Sequence, residues 1–170
     1  HVEALRLDRL LGPADGHGGG RLEPCHDRIR ETVVGELAPD RLKELHLTLG
    51  EVLEERGADA ETLAEHFERG GRLDKAATYA GRAARGAAAT LAFDRAVTLA
   101  RRALALGTQA HDPEEVRQLR RLLAENLIAA GRAEEASSIL LELANEAGPA
   151  EATEHRMRAA DCLIKTGKVR

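Results

Sequence analysis

Phe67-Glu68-Arg69-Gly70-Gly71-Arg72-Leu73-Asp74-Lys75-Ala76 and Leu127-Ile128-Ala129-Ala130-Gly131-Arg132-Ala133-Glu134-Glu135-Ala136 carry one pattern twice. In each, an apolar helix end meets Gly-Arg, then an acidic residue, then a small Ala. Leu163-Ile164-Lys165-Thr166-Gly167-Lys168 repeats the first half, and Phe93-Asp94-Arg95-Ala96 the second. The glycine closes a helix in the left-handed conformation that a Cβ disfavours, so the chain reverses within a few residues. The alanine falls where the two helices of a hairpin touch. Ala76-Ala80-Ala83, Ala96-Ala100-Ala103 and Ala136-Leu140-Leu143 then recur at spacings of four and three, one apolar face each. A recurring helix–turn–helix unit predicts a stack of antiparallel helices.

The rest of the chain agrees. Of 170 residues only 2% are aromatic, with no Trp, one Tyr and two Phe, so little is available for a large sheet sandwich. Ala, Leu, Glu and Arg dominate, and all four lose little rotamer freedom in a helix. The formal charge of −4, with acids interleaved among the arginines, disfavours nucleic acid as a partner and suits an ion-paired helix surface. No apolar run approaches the roughly 18 residues of a membrane span, and no signal-peptide core is present. Cys25 and Cys162 belong to no paired motif, which is the pattern of free thiols in a reducing cytoplasm.

Helices are expected from about Cys25 to Leu37, Asp40 to Arg56, Ala60 to Gly70, Leu73 to Ala89 and Leu91 to Leu106. The sixth has the clearest start: Asp112 as N-cap, Pro113 at the first position and Glu115 to complete a capping box. It ends at Gly131. A seventh covers about Ala133 to Ala147, and an eighth follows Gly148-Pro149 to about Thr166. Before them, the Gly12-to-Gly20 loop and the short Arg21–Pro24 stretch leave room for a small β-hairpin.

The Gly/Ala framework resembles the tetratricopeptide repeat, from Ala60 to Arg170, with the fourth helix serving two neighbouring units. The resemblance implies an all-α, right-handed superhelix whose inner wall is lined by the first helix of each unit. Cys25-His26-Asp27-Arg28-Ile29-Arg30-Glu31-Thr32-Val33-Val34, with Glu65-His66-Phe67 and Leu91-Ala92-Phe93-Asp94-Arg95-Ala96, resembles the region after the ATPase module of bacterial STAND-type signalling proteins, which often carry a serine/threonine protein kinase. Cys25 stands where that family usually has an aromatic. This second resemblance implies three parts: residues 1–24 as the tail and wing loop of a winged-helix-like module, 25–59 as a connecting helical hairpin, and 60–170 as tetratricopeptide-like repeats with the last one truncated. The chain is then a piece of a longer cytoplasmic protein.

No catalytic set emerges. The Gly-rich loop lacks a Gly-Lys-Ser/Thr ending, Thr166-Gly167-Lys168 reads as a helix cap, and His26-Asp27 has no kinase loop around it. His46 and His66 lie on different helices without a companion at ligand spacing, and His17 and His111 lie in loops, so no metal and no cofactor is expected. Arg101-Arg102 and Arg117, Arg120 and Arg121 read as a solvated face able to meet an acidic group. Gln118, Arg121 and Glu125, turned away from Leu119, Leu123 and Leu127, are the candidate partner contacts, because an extended peptide needs polar anchors. The expected role is non-catalytic: a protein or peptide bound on the repeats regulates the upstream ATPase or kinase of the same polypeptide. Self-association through an uncovered Ala160-Leu163-Ile164 stripe on the eighth helix is a further expectation. The rival is a transcription regulator whose winged helix contacts DNA.

Overall fold

The computed structural model describes the backbone at residues 11–13, 22–24, 27–107 and 112–165. The expectations for His1–Leu10, the wing loop beyond Pro13, His17, His26, His111 and Thr166–Lys168 lie outside the described residues. Contacts divide the chain into two units, 1–44 and 45–170, and each is described by itself.

In the first unit, β1 (Leu11–Pro13) and β2 (Leu22–Pro24) pair antiparallel, Leu11 opposite Pro24, Gly12 opposite Glu23 and Pro13 opposite Leu22. Helix α1 (Asp27–Glu36) follows. It stops before Pro39, which opens α2 (Pro39–Glu55) at a position where its missing N–H is not needed.

The described elements of the second unit are all helices. After α2 come α3 (Ala60–Arg69), α4 (Leu73–Ala89), α5 (Phe93–Leu106), α6 (Pro113–Ala129), α7 (Ala133–Glu146) and α8 (Pro149–Lys165). Four of the turns share one geometry. Gly57, Gly71, Leu91 and Gly131 take φ of 69°, 77°, 60° and 75°. The next residue's N–H then reaches the carbonyl five residues back: Ala58 to Leu53, Arg72 to Phe67, Ala92 to Ala87 and Arg132 to Leu127, at 2.8–3.0 Å. That bond closes a helix on a left-handed residue. Leu91 does this without glycine, at a cost of about 1–2 kcal/mol. For this reason the fifth helix begins at Phe93 and not at Leu91. At the start of α6 the Asp112 cap and Pro113 follow expectation: the Asp112 carboxylate accepts the N–H of Glu114 at 3.2 Å, with Pro113 in the first turn, while the Glu115 carboxylate lies 3.9 Å from Arg85 of α4.

The alanine and leucine faces are the core. Ala76, Ala77, Ala80 and Ala84 of α4 and Ala96, Ala100 and Ala103 of α5 are fully buried, as are Leu119 and Leu127 of α6. Leu123, Leu140 and Leu143 are nearly so. Helix α4 packs on both α3 and α5. Cys162 is a buried free thiol.

Ion pairs sort these helices into two rows. Arg95 Nε donates to Glu61 at 3.0 Å and Arg102 Nε to Glu68 at 2.7 Å, tying α5 to α3; Arg101 reaches Glu135 of α7 at 2.5 Å. In all three the partners are 34 residues apart. The other row runs α2, α4, α6, α8, through Glu54 with Lys75 and Tyr79, Arg85 with Glu115, and Arg121 with Glu151. The two turns that look alike in sequence therefore occupy different places. Gly71 leads from the first row to the second, and Gly131 from the second to the first. The turn is a device for reversing a helix, and the ion pairs mark which helices are neighbours along a row.

Periodicity places Leu42, Leu45, Leu49, Val52 and Leu53 on one apolar stripe of α2, and the structure departs from it. Leu49 and Val52 are exposed at 48% and 39%, while Leu47 and Leu53 pack toward Phe67. Two glycines decide this rotation. A Cβ at Gly50 would come within 3.1 Å of the Phe67 ring, and one at Gly70 within 2.9 Å of the Leu47 backbone. Close approach at those points outweighs the burial of two aliphatic side chains elsewhere on the helix.

Candidate interaction surface

The second row of helices presents the polar face on which the expected contacts fall. Leu119, Leu123 and Leu127 turn α6 inward, which leaves Gln118 and Glu125 exposed and Arg121 half-buried. Gln118 donates from Nε2 to Glu114 at 3.3 Å. Arg121 pairs with Glu151 of α8, and Glu125 lies 3.9 Å from Arg158 of the same helix. The three residues share one face of α6, with Arg121 drawn into the α6–α8 seam and Glu125 at its exposed edge.

The other arginines singled out in the sequence are likewise engaged within the chain. Arg101 and Arg102 hold Glu135 and Glu68, Arg117 holds Glu114 at 2.9 Å, and Arg120 holds Glu146 at 2.6 Å. These bonds have electrostatic consequences. The guanidinium of Arg132, then that of Arg101, hold Glu135 down to about 2. Arg72 does the same for Asp74, also to about 2. Hydrogen bonds from Lys75 and Tyr79 lower Glu54, and the Glu54 carboxylate raises the Tyr79 phenol in turn.

Arg82 differs. It makes no ion pair among the described residues and sits over the Tyr79 ring, 5.2 Å from its centroid. Two open clefts meet at this side chain. One, of about 350 Å³, lies over Ala83, Gly86 and Ala87 of α4 and is bounded by Glu61 and Arg95. It opens because α3 has 10 residues against 17 in α4, so the last turns of α4 run on past the start of α3. The other, of about 260 Å³, is polar and runs along the second row between Glu54, Thr78, Tyr79 and Glu115. Sequence reasoning missed Arg82. The only signal was its place three residues after Tyr79, one turn on along the helix.

No family model matches the sequence, and no curated protein and no solved structure matches it. The function therefore has to be read from the chain itself.

Two histidine features were also missed. His46 and His66, on α2 and α3, meet with their Nδ1 atoms 3.0 Å apart. They supply two nitrogens, and no cluster of three metal-binding side chains occurs among the described residues. His155 of α8 is 4% exposed and lies 3.6 Å from Glu151, its ring nitrogens making no hydrogen bond among the described residues. No described helix is long and apolar enough to cross a membrane. On α8, Ala160 and Ile164 are exposed while Leu163 is half-buried.

Proposed function

We propose that this chain is a non-catalytic protein-interaction segment, a tetratricopeptide-like array that binds a protein or peptide and so regulates the ATPase or kinase domains of one bacterial signalling polypeptide. The observation that carries this reading is the alternation of the helices between two rows, each tied along the row by ion pairs such as Arg95 with Glu61 and Arg101 with Glu135. Helices that alternate between two rows stack unit on unit, and stacked units offer a continuous surface for binding by shape. The clefts that meet at Arg82 give that surface polar anchors over a floor of small side chains. An extended segment bound there gains backbone hydrogen bonds and one charge-assisted contact.

The test is calorimetric titration of the chain with the nucleotide-binding and kinase segments that this reading assigns to the same polypeptide, in low and high salt. Saturable, salt-sensitive binding that Arg82→Glu weakens at least tenfold, about 1.4 kcal/mol, supports the reading. Absence of binding to any of these segments would overturn it.

A further inference from the structure

The contact between His46 and His66 spans the seam where α2 sits on α3. We propose that this pair is an acid-sensitive clasp, which holds α2 against α3 while at least one imidazole is neutral and releases it when both are protonated. The two Nδ1 atoms are 3.0 Å apart and the ring centroids 5.2 Å, with the planes tilted by 40°. At that separation one Nδ1–H donates to the lone pair of the other Nδ1. A doubly protonated pair has two donors facing each other and no acceptor, with like charges in contact.

The surroundings sharpen the effect. On α3 the charged groups facing His46 are Glu65 and Arg69, which pair with each other at 2.9 Å and so largely offset one another. On α4, Lys75 is bound to Glu54 and lies 4.7 Å over the Phe67 ring. Thus the carboxylate beside the pair, Glu65, is already shared with Arg69. Burial first, then His66 and Arg69, lower His46 below the ordinary imidazole value of 6.5, with Glu65 opposing. A base whose pKa is lower folded than unfolded stabilises the fold fully above its unfolded value. That contribution declines as pH falls through 6.5 toward the folded value.

The clasp matters because the rest of the seam depends on close approach. Gly50 lies against the Phe67 ring and Gly70 against the Leu47 backbone, so a small lift of α2 loses both contacts together. Release uncovers the Phe67 face of α3 and leaves the alanine and leucine core of α4 to α8 in place.

Amide hydrogen exchange on the whole chain at about pH 7.5 and about pH 5.5, corrected for intrinsic rates, tests this. A several-fold loss of protection in Leu45–Glu55 at the lower pH is expected, with α6 and α7 unchanged. The double variant His46→Gln and His66→Gln keeps a neutral hydrogen-bonding pair and is expected to lose the pH response. Equal protection of α2 at both pH values, or a response that survives in the double variant, would overturn the proposal. NMR titration of the unaltered protein gives a second readout: His46 is expected to protonate below the ordinary imidazole value of 6.5. Independent titration of both at the ordinary value sinks the clasp. His155, buried in α8, is separated from this readout by location.

Discussion

The hairpins α4–α5 and α6–α7 use the same turn and opposite cores. Both reverse through a left-handed residue whose successor bonds five residues back, Ala92 to Ala87 in one and Arg132 to Leu127 in the other. The first seam is alanine, with Ala80, Ala84, Ala96 and Ala100 at zero exposure, and the second is richer in leucine, with Leu123, Leu127 and Leu140 at most 4% exposed. An alanine seam brings helix axes together and has no room for added atoms. A leucine seam holds them further apart and depends on its volume being filled. One backbone plan is thus built with two packing regimes, which must fail in opposite ways.

The largest expected effect is truncation in the leucine seam. Leu127→Ala should cost about 2–5 kcal/mol by leaving a cavity that only partly collapses. Urea unfolding checks it, and a cost near that of a surface change would mean the seam is loosely packed. Enlargement of the alanine seam comes next: Ala100→Leu should cost about 1–3 kcal/mol by forcing α4 and α5 apart. The same two measurements sharpen the contrast if Ala100→Leu lowers the urea midpoint and leaves the slope unchanged.

The turns invert the comparison. Leu91→Gly relieves a left-handed leucine that is 70% exposed, and should raise stability by about 0.5–1 kcal/mol after the added freedom of the unfolded chain. Gly131→Leu should lower it by about 1–2 kcal/mol, since the same conformation is imposed on a side chain. Thermal unfolding of both variants decides the matter, and equal signs would show that the two turns are not equivalent.

The smallest effect concerns the tie between the hairpins. Glu135 is held to about 2 by Arg132 and Arg101, below its ordinary 4.5. Its contribution is therefore present above about pH 4.5 and lost as pH falls toward 2. Glu135→Gln should flatten that acid limb slightly and leave neutral-pH stability almost unchanged, because both partners are well exposed. Acid unfolding curves read the difference.

Much of this was legible along the chain. The spacing of Ala76, Ala80, Ala96, Ala100, Leu119, Leu123 and Leu127 marks buried helix faces because a helix repeats its surface every three to four residues. The Asp112-Pro113 start and the Gly71 and Gly131 turns are local chemistry, settled within a few residues of themselves. Leu91 was misplaced because nothing local marks a leucine for a left-handed turn. The α2 stripe was misread at Leu49 and Val52 because hydrophobic spacing says nothing of where a partner ring will press against Gly50.

The candidate site divides in the same way. That Gln118, Arg121 and Glu125 share an outer face of α6 follows from periodicity alone. That Arg121 and Glu125 are engaged by Glu151 and Arg158, while Arg82 stays without a carboxylate partner among the described residues, depends on which helix lies alongside. The sequence by itself determined the helices, the faces they bury and where most of them reverse, since these rest on interactions within about one turn of chain. Only the tertiary structure decided the rotation of α2, the two rows, and the meeting of His46 with His66. Those rest on contacts between residues 20 to 34 positions apart, whose geometry is set by helix-on-helix packing and not by local preference.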